Sequence, residues 1–178
     1  MTLPTFRYHP DPLKSGSIVE SGQDCRVCGE SRGYIYTGPV YCEEDVGDEI
    51  CPWCIADGSA SGAFDATFVD MSAFDEDTPE SVKEEIAERT PGYSAWQSEQ
   101  WPGCCGDAMA FLQPAGTREL RQEQELEGIA MGHIVHEMGI SGGAATQLLE
   151  SLDRDSGPTA FVFQCLKCNR HHLFIDQL

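Results

Sequence analysis

Hydrophobic and polar positions follow two different periods along this 178-residue chain. Near the C-terminus, Ala160-Phe161-Val162-Phe163 and Leu173-Phe174-Ile175 are short apolar runs of the kind that form buried strands. They flank Cys165-Leu166-Lys167-Cys168, so a hairpin is expected there. Tyr34-Ile35-Tyr36 and Val40-Tyr41, on either side of Thr37-Gly38-Pro39, predict another. The middle of the chain turns to helical spacing. Thr78 reads as an N-cap, Pro79 as the first helical position and Glu80 as a carboxylate at the positive helix end. Val82, Ile86 and Ala87 then form one stripe until Pro91-Gly92. Thr117 is expected to cap a second helix through Leu120, Leu126 and Ile129, and a third runs from Ser141 through Leu152. A short helix begins after Cys54, Phe64, Phe68 and Val69 read as core, and Tyr93 to Trp101 reads as an aromatic turn or short helix.

Cysteine spacing adds chemistry to this pattern. Cys25-Arg26-Val27-Cys28-Gly29 and Cys51-Pro52-Trp53-Cys54 are two C-x2-C pairs at the separation of a four-cysteine zinc site. Each knuckle is a tight turn that aims two sulfurs at one centre. Gly29 gives the first the backbone freedom it needs, and Pro52 presets φ in the second. Four thiolates fill a zinc tetrahedron and leave no open position, so such a site holds structure. Phe6, Tyr8 and Ser17-Ile18-Val19 read as extended segments packed across it, and Cys42 as a buried free thiol. A second site is expected from Cys104, Cys105, Cys165 and Cys168. Adjacent side chains in regular structure diverge, which makes His171 or His172 an alternative fourth ligand. The fold predicted is α+β, with antiparallel hairpins and zinc knuckles at both ends and about three helices between. It is read as a single zinc-binding domain over 1–178, with a zinc-ribbon-like part at 1–70 and a helical part plus C-terminal knuckle hairpin at 71–178.

Composition narrows the function. Thirty acidic and eleven basic side chains give a net charge of −19. Such a surface repels phosphate backbones, so nucleic acid is a poor partner and a basic protein a better one. No run approaches the roughly 20 apolar residues of a membrane span, and Met1 to Arg7 lacks the apolar core of a signal peptide. A cytoplasmic protein is expected, in which nine cysteines serve as metal ligands rather than disulfides.

Enzyme signatures are sparse. His133 and His136 share a helical face beside Glu137, which frames a metal-dependent hydrolase as an alternative, yet the order is not His-Glu-x-x-His. No P-loop, dinucleotide fingerprint or nucleophile elbow is present. Redox or regulatory work by the C-x-x-C pairs is the other alternative.

Several stretches together resemble the CbrC family of small bacterial proteins: Leu3 to Pro12, Cys25 to Gly29, Tyr34 to Pro39, Ile50 to Gly58, Arg89 to Tyr93, Trp96-Gln97, Cys105 to Asp107 and Phe163 to Cys168. That resemblance implies a bacterial cytosolic protein linked to colicin tolerance, without a defined catalytic activity. The chain departs from the family pattern at Cys104, where relatives often carry His, and at Met109, where they often carry Cys. The resulting expectation is a non-enzymatic, zinc-stabilised acidic protein that binds another protein.

Overall fold

The computed structural model describes residues 2–177. In chain order its elements are α1 (Pro12–Ser15), β1 (Ile18–Glu20), β2 (Tyr34–Tyr36), α2 (Pro52–Ala56), α3 (Ser59–Phe64), a 3-10 turn (Met71–Ala73), α4 (Glu80–Arg89), β3 (Gly103–Cys104), β4 (Asp107–Ala108), β5 (Ala110–Ala115), α5 (Thr117–Leu120), α6 (Gln124–His136), α7 (Gly143–Ser151), β6 (Thr159–Gln164) and β7 (His171–Asp176). The class is mixed α+β with small antiparallel sheets, and a group of four cysteines lies toward each end of the chain.

The largest sheet has the order β5-β6-β7, all antiparallel. Its central strand shows how a period of two sorts side chains. Ala160 and Val162 face the helical cluster, where Leu120, Leu126, Ala130, Ile134 and Leu149 pack. Phe161 and Phe163 face the other way, into an aromatic cluster with Tyr93, Trp101, Phe111 and Phe174. The rings there pack stacked, tilted or edge-on at centroid distances of 4.3 Å (Tyr93–Phe111) to 6.3 Å (Phe111–Phe161). Burial of large aromatic side chains on one face and aliphatic ones on the other gives β6 no solvent-facing side. β5 tolerates Pro114 because it is an edge strand, and Phe111 N–H donates to Tyr8 O across that edge at 2.8 Å.

The N-terminal part is built differently. β1 and β2 pair antiparallel over three residues, with Ile18 opposite Tyr36. This replaces the expected hairpin of 34–36 with 40–41: Tyr36 instead bridges Ile50 and Tyr41 bridges Thr67. Val40 and Tyr41 are too few to form a strand of their own, whereas Ile18-Val19 arrives in register from the preceding segment. Phe6, Ile18, Tyr36, Val46, Ile50, Ile55 and Phe68 form the cluster around the first cysteine group, but Tyr8 belongs to the aromatic cluster of the sheet. The leading segment therefore spans both cores.

Other departures have local causes. Glycine 58 at φ +80 divides the helix after Cys54 into α2 and α3. The second predicted helix breaks at 121–123 into α5 and α6, and Gly116 rather than Thr117 precedes it. The Thr117 hydroxyl donates to Leu149 O at 2.6 Å, tying α5 to α7 instead of capping its own helix. Pro79, not Thr78, occupies the cap position of α4, and the Thr78 hydroxyl is buried without a partner. Residues 93 to 101 hold no helix; they are anchored by Asp176 Oδ2, which accepts from Trp96 N–H at 2.6 Å and Gln97 N–H at 3.0 Å.

Candidate metal centres

The structure gathers the eight predicted cysteines into two groups of four. Cys25, Cys28, Cys51 and Cys54 form one, Cys104, Cys105, Cys165 and Cys168 the other, and within each group all sulfurs lie within 4.8 Å of one another. A tetrahedron with metal–sulfur bonds of about 2.3 Å, the length found with zinc, has sulfur–sulfur edges of about 3.8 Å. In the first group the Sγ–Sγ distances are 3.8 Å (Cys25–Cys54), 3.9 Å (Cys28–Cys51) and 3.6 Å (Cys51–Cys54). In the second they are 3.7 Å (Cys104–Cys105) and 3.8 Å (Cys104–Cys168). Both groups therefore fit a tetrahedral metal ion, and all nine cysteines of the chain are free of disulfides.

Local sequence explains the geometry. In two of the three C-x-x-C knuckles the first cysteine and the residue five on are bonded through the backbone, Cys25 N–H to Glu30 O (3.0 Å) and Cys165 N–H to Arg170 O (2.9 Å). The residue after the second cysteine is left-handed in both, Gly29 at φ +70 and Asn169 at φ +58. Glycine and asparagine are the residues that take this conformation most readily. The first group is completed by Cys51 at the cap of α2 and Cys54 in its first turn.

The second is completed by a hairpin. β3 and β4 pair Cys104 with Asp107, leaving Cys105 (φ +56) and Gly106 (φ +68) as the two turn residues. Two positive φ values are the signature of a type I′ turn. The left-handed Cys105 also corrects the expectation that neighbouring cysteines diverge, because alternation holds only in extended backbone. Both sulfurs reach one centre, and no histidine joins them. His171 Nδ1 instead lies 3.5 Å from Glu125 Oε2 on α6, and His172 is exposed. Met109 is buried in the aromatic cluster, and its carbonyl accepts from Trp101 Nε1 at 2.8 Å. Cys42 belongs to neither group; its thiol donates to Glu44 O at 2.9 Å.

Electrostatics make each group a proton-holding trap when no cation is present. Burial pushes Cys25 up, but amide N–H groups of Cys28, Cys51 and Val27 outweigh it and bring the thiol down to about 7. Burial pushes Cys51 up to about 11 and raises Cys54 further. In the second group the amides of Cys168 and Lys167 bring Cys165 down to about 6, while hydrogen bonding to Cys165 pushes Cys104 up to about 12. One thiolate forms readily and suppresses the next, so full ionisation needs a positive ion at the centre.

His133 and His136 lie on α6, but they gather no third ligand-bearing side chain among the described residues. His133 Nε2 accepts from Ile175 N–H at 3.4 Å, so this histidine packs the helix on the sheet, and burial lowers its pKa.

The profile of an uncharacterised protein family, UPF0167, matches residues 3–177. The chain belongs to the UPF0167 family. A UPF0167 protein of Mycobacterium bovis is 46% identical over 178 residues, covering 98% of this chain and 93% of the relative. One from Mycobacterium tuberculosis matches to the same extent. A UPF0167 protein of Pseudomonas aeruginosa is 40% identical, covering 98% of this chain and 97% of its own length. No solved structure matches. UPF0167 is thus a family with bacterial members and no established activity, and in this member two four-cysteine groups could hold metal ions. Among the described residues, no helix is long and apolar enough to cross a membrane.

Proposed function

We propose that this chain is a zinc-stabilised acidic protein of the cytoplasm, folded as one domain over 1–178, whose work is to bind a basic protein. Cys25, Cys28, Cys51 and Cys54 would hold one zinc, and Cys104, Cys105, Cys165 and Cys168 a second. Bound in this way, zinc cross-links chain segments and offers no open position for catalysis.

The observation that carries the reading is that each cysteine group tethers an acidic run. Arg26, inside the first knuckle, donates its amide to Glu49 O at 2.8 Å and its guanidinium to Asp45 O at 2.8 Å and Glu44 Oε2 at 2.8 Å, holding the loop Glu43–Glu49. Next to the second group, Gly103 N–H donates to Asp75 Oδ2 at 2.7 Å, fixing the exposed run Asp75-Glu76-Asp77. Acidic loops held in place before an encounter lose less entropy when a cationic surface meets them. The resemblance to colicin-tolerance proteins supplies a candidate partner, the basic face of a nuclease-type toxin.

Two measurements test this. Elemental analysis of protein purified without added metal is expected to give two zincs per chain. A pull-down with a basic nuclease domain is expected to show binding that weakens steeply with salt and disappears when zinc is stripped. Binding indifferent to salt, or none at all, overturns the partner assignment while leaving the metal count to stand alone.

A second reading has one observation in its favour: Cys105 and Cys168 are exposed. Thiol-based regulation at the second group would follow if a disulfide reagent released its metal and changed partner binding together.

A further inference from the structure

Away from both cysteine groups, Glu99 is buried in a segment locked on three sides. Trp101 N–H donates to Ala73 O at 2.8 Å, and Gln100 N–H donates to the Tyr93 hydroxyl at 2.9 Å, which in turn donates to Gln100 O at 2.6 Å. Phe74 and Trp101 complete the lock as a parallel bridge. The Glu99 side chain that results is 8% exposed. Its Oε2 accepts from Asp70 N–H at 3.1 Å, and its Oε1 is shielded from solvent with no hydrogen-bond partner.

Glu99 also lines a cavity of about 380 Å³, together with Tyr41, Asp70, Ser94, Gln97 and Ser98. No lysine, arginine or histidine lines it. The chain thus buries a carboxylate, leaves one of its oxygens unpaired, and surrounds the adjoining space with hydroxyl, amide and carboxylate groups. A buried acid in that position is either held neutral by a proton or completed by a cationic donor. A divalent ion would ask for more oxygens than two carboxylates provide. An organic cation asks for one or two acceptors and an aromatic face, and Tyr41, 40% exposed, offers the ring.

We propose that this cavity binds an ammonium or guanidinium group, which donates to Glu99 and is flanked by Asp70 and the Tyr41 ring. The assignment does not depend on the metal ions or on a protein partner, since a free amine and a lysine or arginine side chain carry the same chemistry.

Proton linkage gives the site a signature. Burial raises Glu99 to about 7, opposed by the Asp70 amide and by the Tyr41 hydroxyl, which lies close to the carboxylate without hydrogen-bond geometry. The titratable groups facing it are Asp70 at the cap of the 3-10 turn, Tyr41 from the loop after β2, Tyr36 on β2 and Tyr93 from the segment before it. The three tyrosines are all raised by burial and stay neutral between pH 6 and 8. Over that range the Glu99 carboxyl changes its charge, so a cationic guest displaces a proton from it. Affinity is expected to fall about tenfold from pH 8 to pH 6.

The test titrates the purified, metal-loaded full chain with n-butylammonium or methylguanidinium chloride, followed by amide NMR shifts and calorimetry. Saturable shifts at Asp70, Glu99 and Gln100 are expected with both cations, none with 1-butanol, and the pH dependence above. Glu99→Gln keeps an acceptor for the Asp70 amide and is expected to abolish binding without changing metal content. If that variant loses metal or fold, Asp70→Asn carries the test, with affinity expected to drop severalfold. A blocked lysine tripeptide then separates the sources: tighter binding than butylammonium marks a protein side chain as the guest, and equal or weaker binding marks a free amine. Binding that survives in Glu99→Gln, or in Asp70→Asn without pH dependence, is attraction to net charge and overturns the proposal. So does 1-butanol binding as well as the cations, or no binding by either cation at pH 8.

Discussion

The knuckles Cys25–Glu30 and Cys165–Arg170 make the same backbone bonds, and yet the two groups they belong to sit in opposite surroundings. In the first, Cys25, Cys51 and Cys54 are 2% exposed or less and are packed among Ile18, Tyr36, Ile50 and Ile55. In the second, Cys105 and Cys168 are exposed and only Cys165 is buried. The difference follows from what completes each group. A helix start brings its apolar neighbours Ile55 and Ala60 with it, whereas the tip of a two-residue hairpin brings nothing. The cores differ in the same sense. The N-terminal part has the three-residue pairing of β1 with β2 and two isolated bridges, so its apolar cluster is organised around the sulfurs. The second group stands at the edge of a three-stranded sheet with a dense aromatic core and helices on its other face. A metal ion is expected to be the keystone of one region and a rim fitting on the other.

Substituting one ligand in each group is the harshest way to break that comparison. Cys51→Ser is expected to remove one metal and unfold residues 18–68 as a unit. A structural zinc contributes about 10–16 kcal/mol of apparent binding free energy, as much as the whole stability of an ordinary domain of about 5–15 kcal/mol. Hydrogen exchange would show the N-terminal amides losing protection while those of β5 to β7 keep theirs. Cys105→Ser is expected to cost the other metal and lower the melting temperature, with the transition still cooperative and the sheet intact. In the wild type, a thiol reagent should reach Cys105 and Cys168 well before Cys25 or Cys54, and a chelator should empty the second group first. Equal rates at both groups would mean that burial does not govern metal retention here.

Much of this was legible in the sequence because it is local. C-x2-C pairs, the Phe161/Phe163 alternation, the stop at Pro91-Gly92 and the helix expected from Ser141 to Leu152, formed as Gly143–Ser151, each need only neighbouring residues to be read. What escaped notice depends on distant partners. β5 is a poor strand by composition, with Gln113 and Pro114, and forms because β6 supplies its bonds. β2 finds β1 rather than 40–41 because Ile18 arrives in register. Cys104 and Cys105 are both expected in the second group from sequence, and only the assumption of extended backbone offers His171 or His172 in place of one of them; Gly106 argues against that substitution, since Cys-Gly at the centre of a tight turn can take two positive φ values. Glu99 carries no motif at all. Its place is set by Trp101, Tyr93 and Asp70, which meet only in the folded chain.

Between the two regions lies a pH-sensitive seam. His9 is fully buried; its Nδ1 donates to Pro91 O at 2.7 Å and its Nε2 accepts from the Ser15 hydroxyl at 2.7 Å, so the ring is neutral. Burial lowers its pKa to about 4 from an ordinary 6.5. The unfolded chain then binds a proton between those values that the folded chain refuses, so stability falls as pH drops from about 6.5 toward 4. The full effect is on the order of 3 kcal/mol. His9→Gln is expected to flatten that slope in urea unfolding at fixed zinc concentration. A slope unchanged in the variant would assign the acid sensitivity to the cysteine groups instead.

The gentlest probe tests whether the two knuckles really are one local device. Gly29 and Asn169 occupy equivalent left-handed positions, and a β-carbon at residue 29 would meet nothing within 4 Å. Any cost of Gly29→Ala is therefore backbone strain alone, roughly 1–2 kcal/mol. Asn169→Ala should cost about 1 kcal/mol, because alanine lacks the short polar side chain that eases asparagine into this region, and Asn169→Gly should be neutral within about 0.5 kcal/mol. Chelator competition at each group reads the result. If Gly29→Ala weakens retention only at the first group and Asn169→Ala only at the second, by similar factors, the knuckle is autonomous and the unlike surroundings act on top of it. If the buried group absorbs its substitution while the exposed one does not, packing around Cys25 and Cys54 already over-determines the turn, and the resemblance between the two sites ends at their backbone bonds.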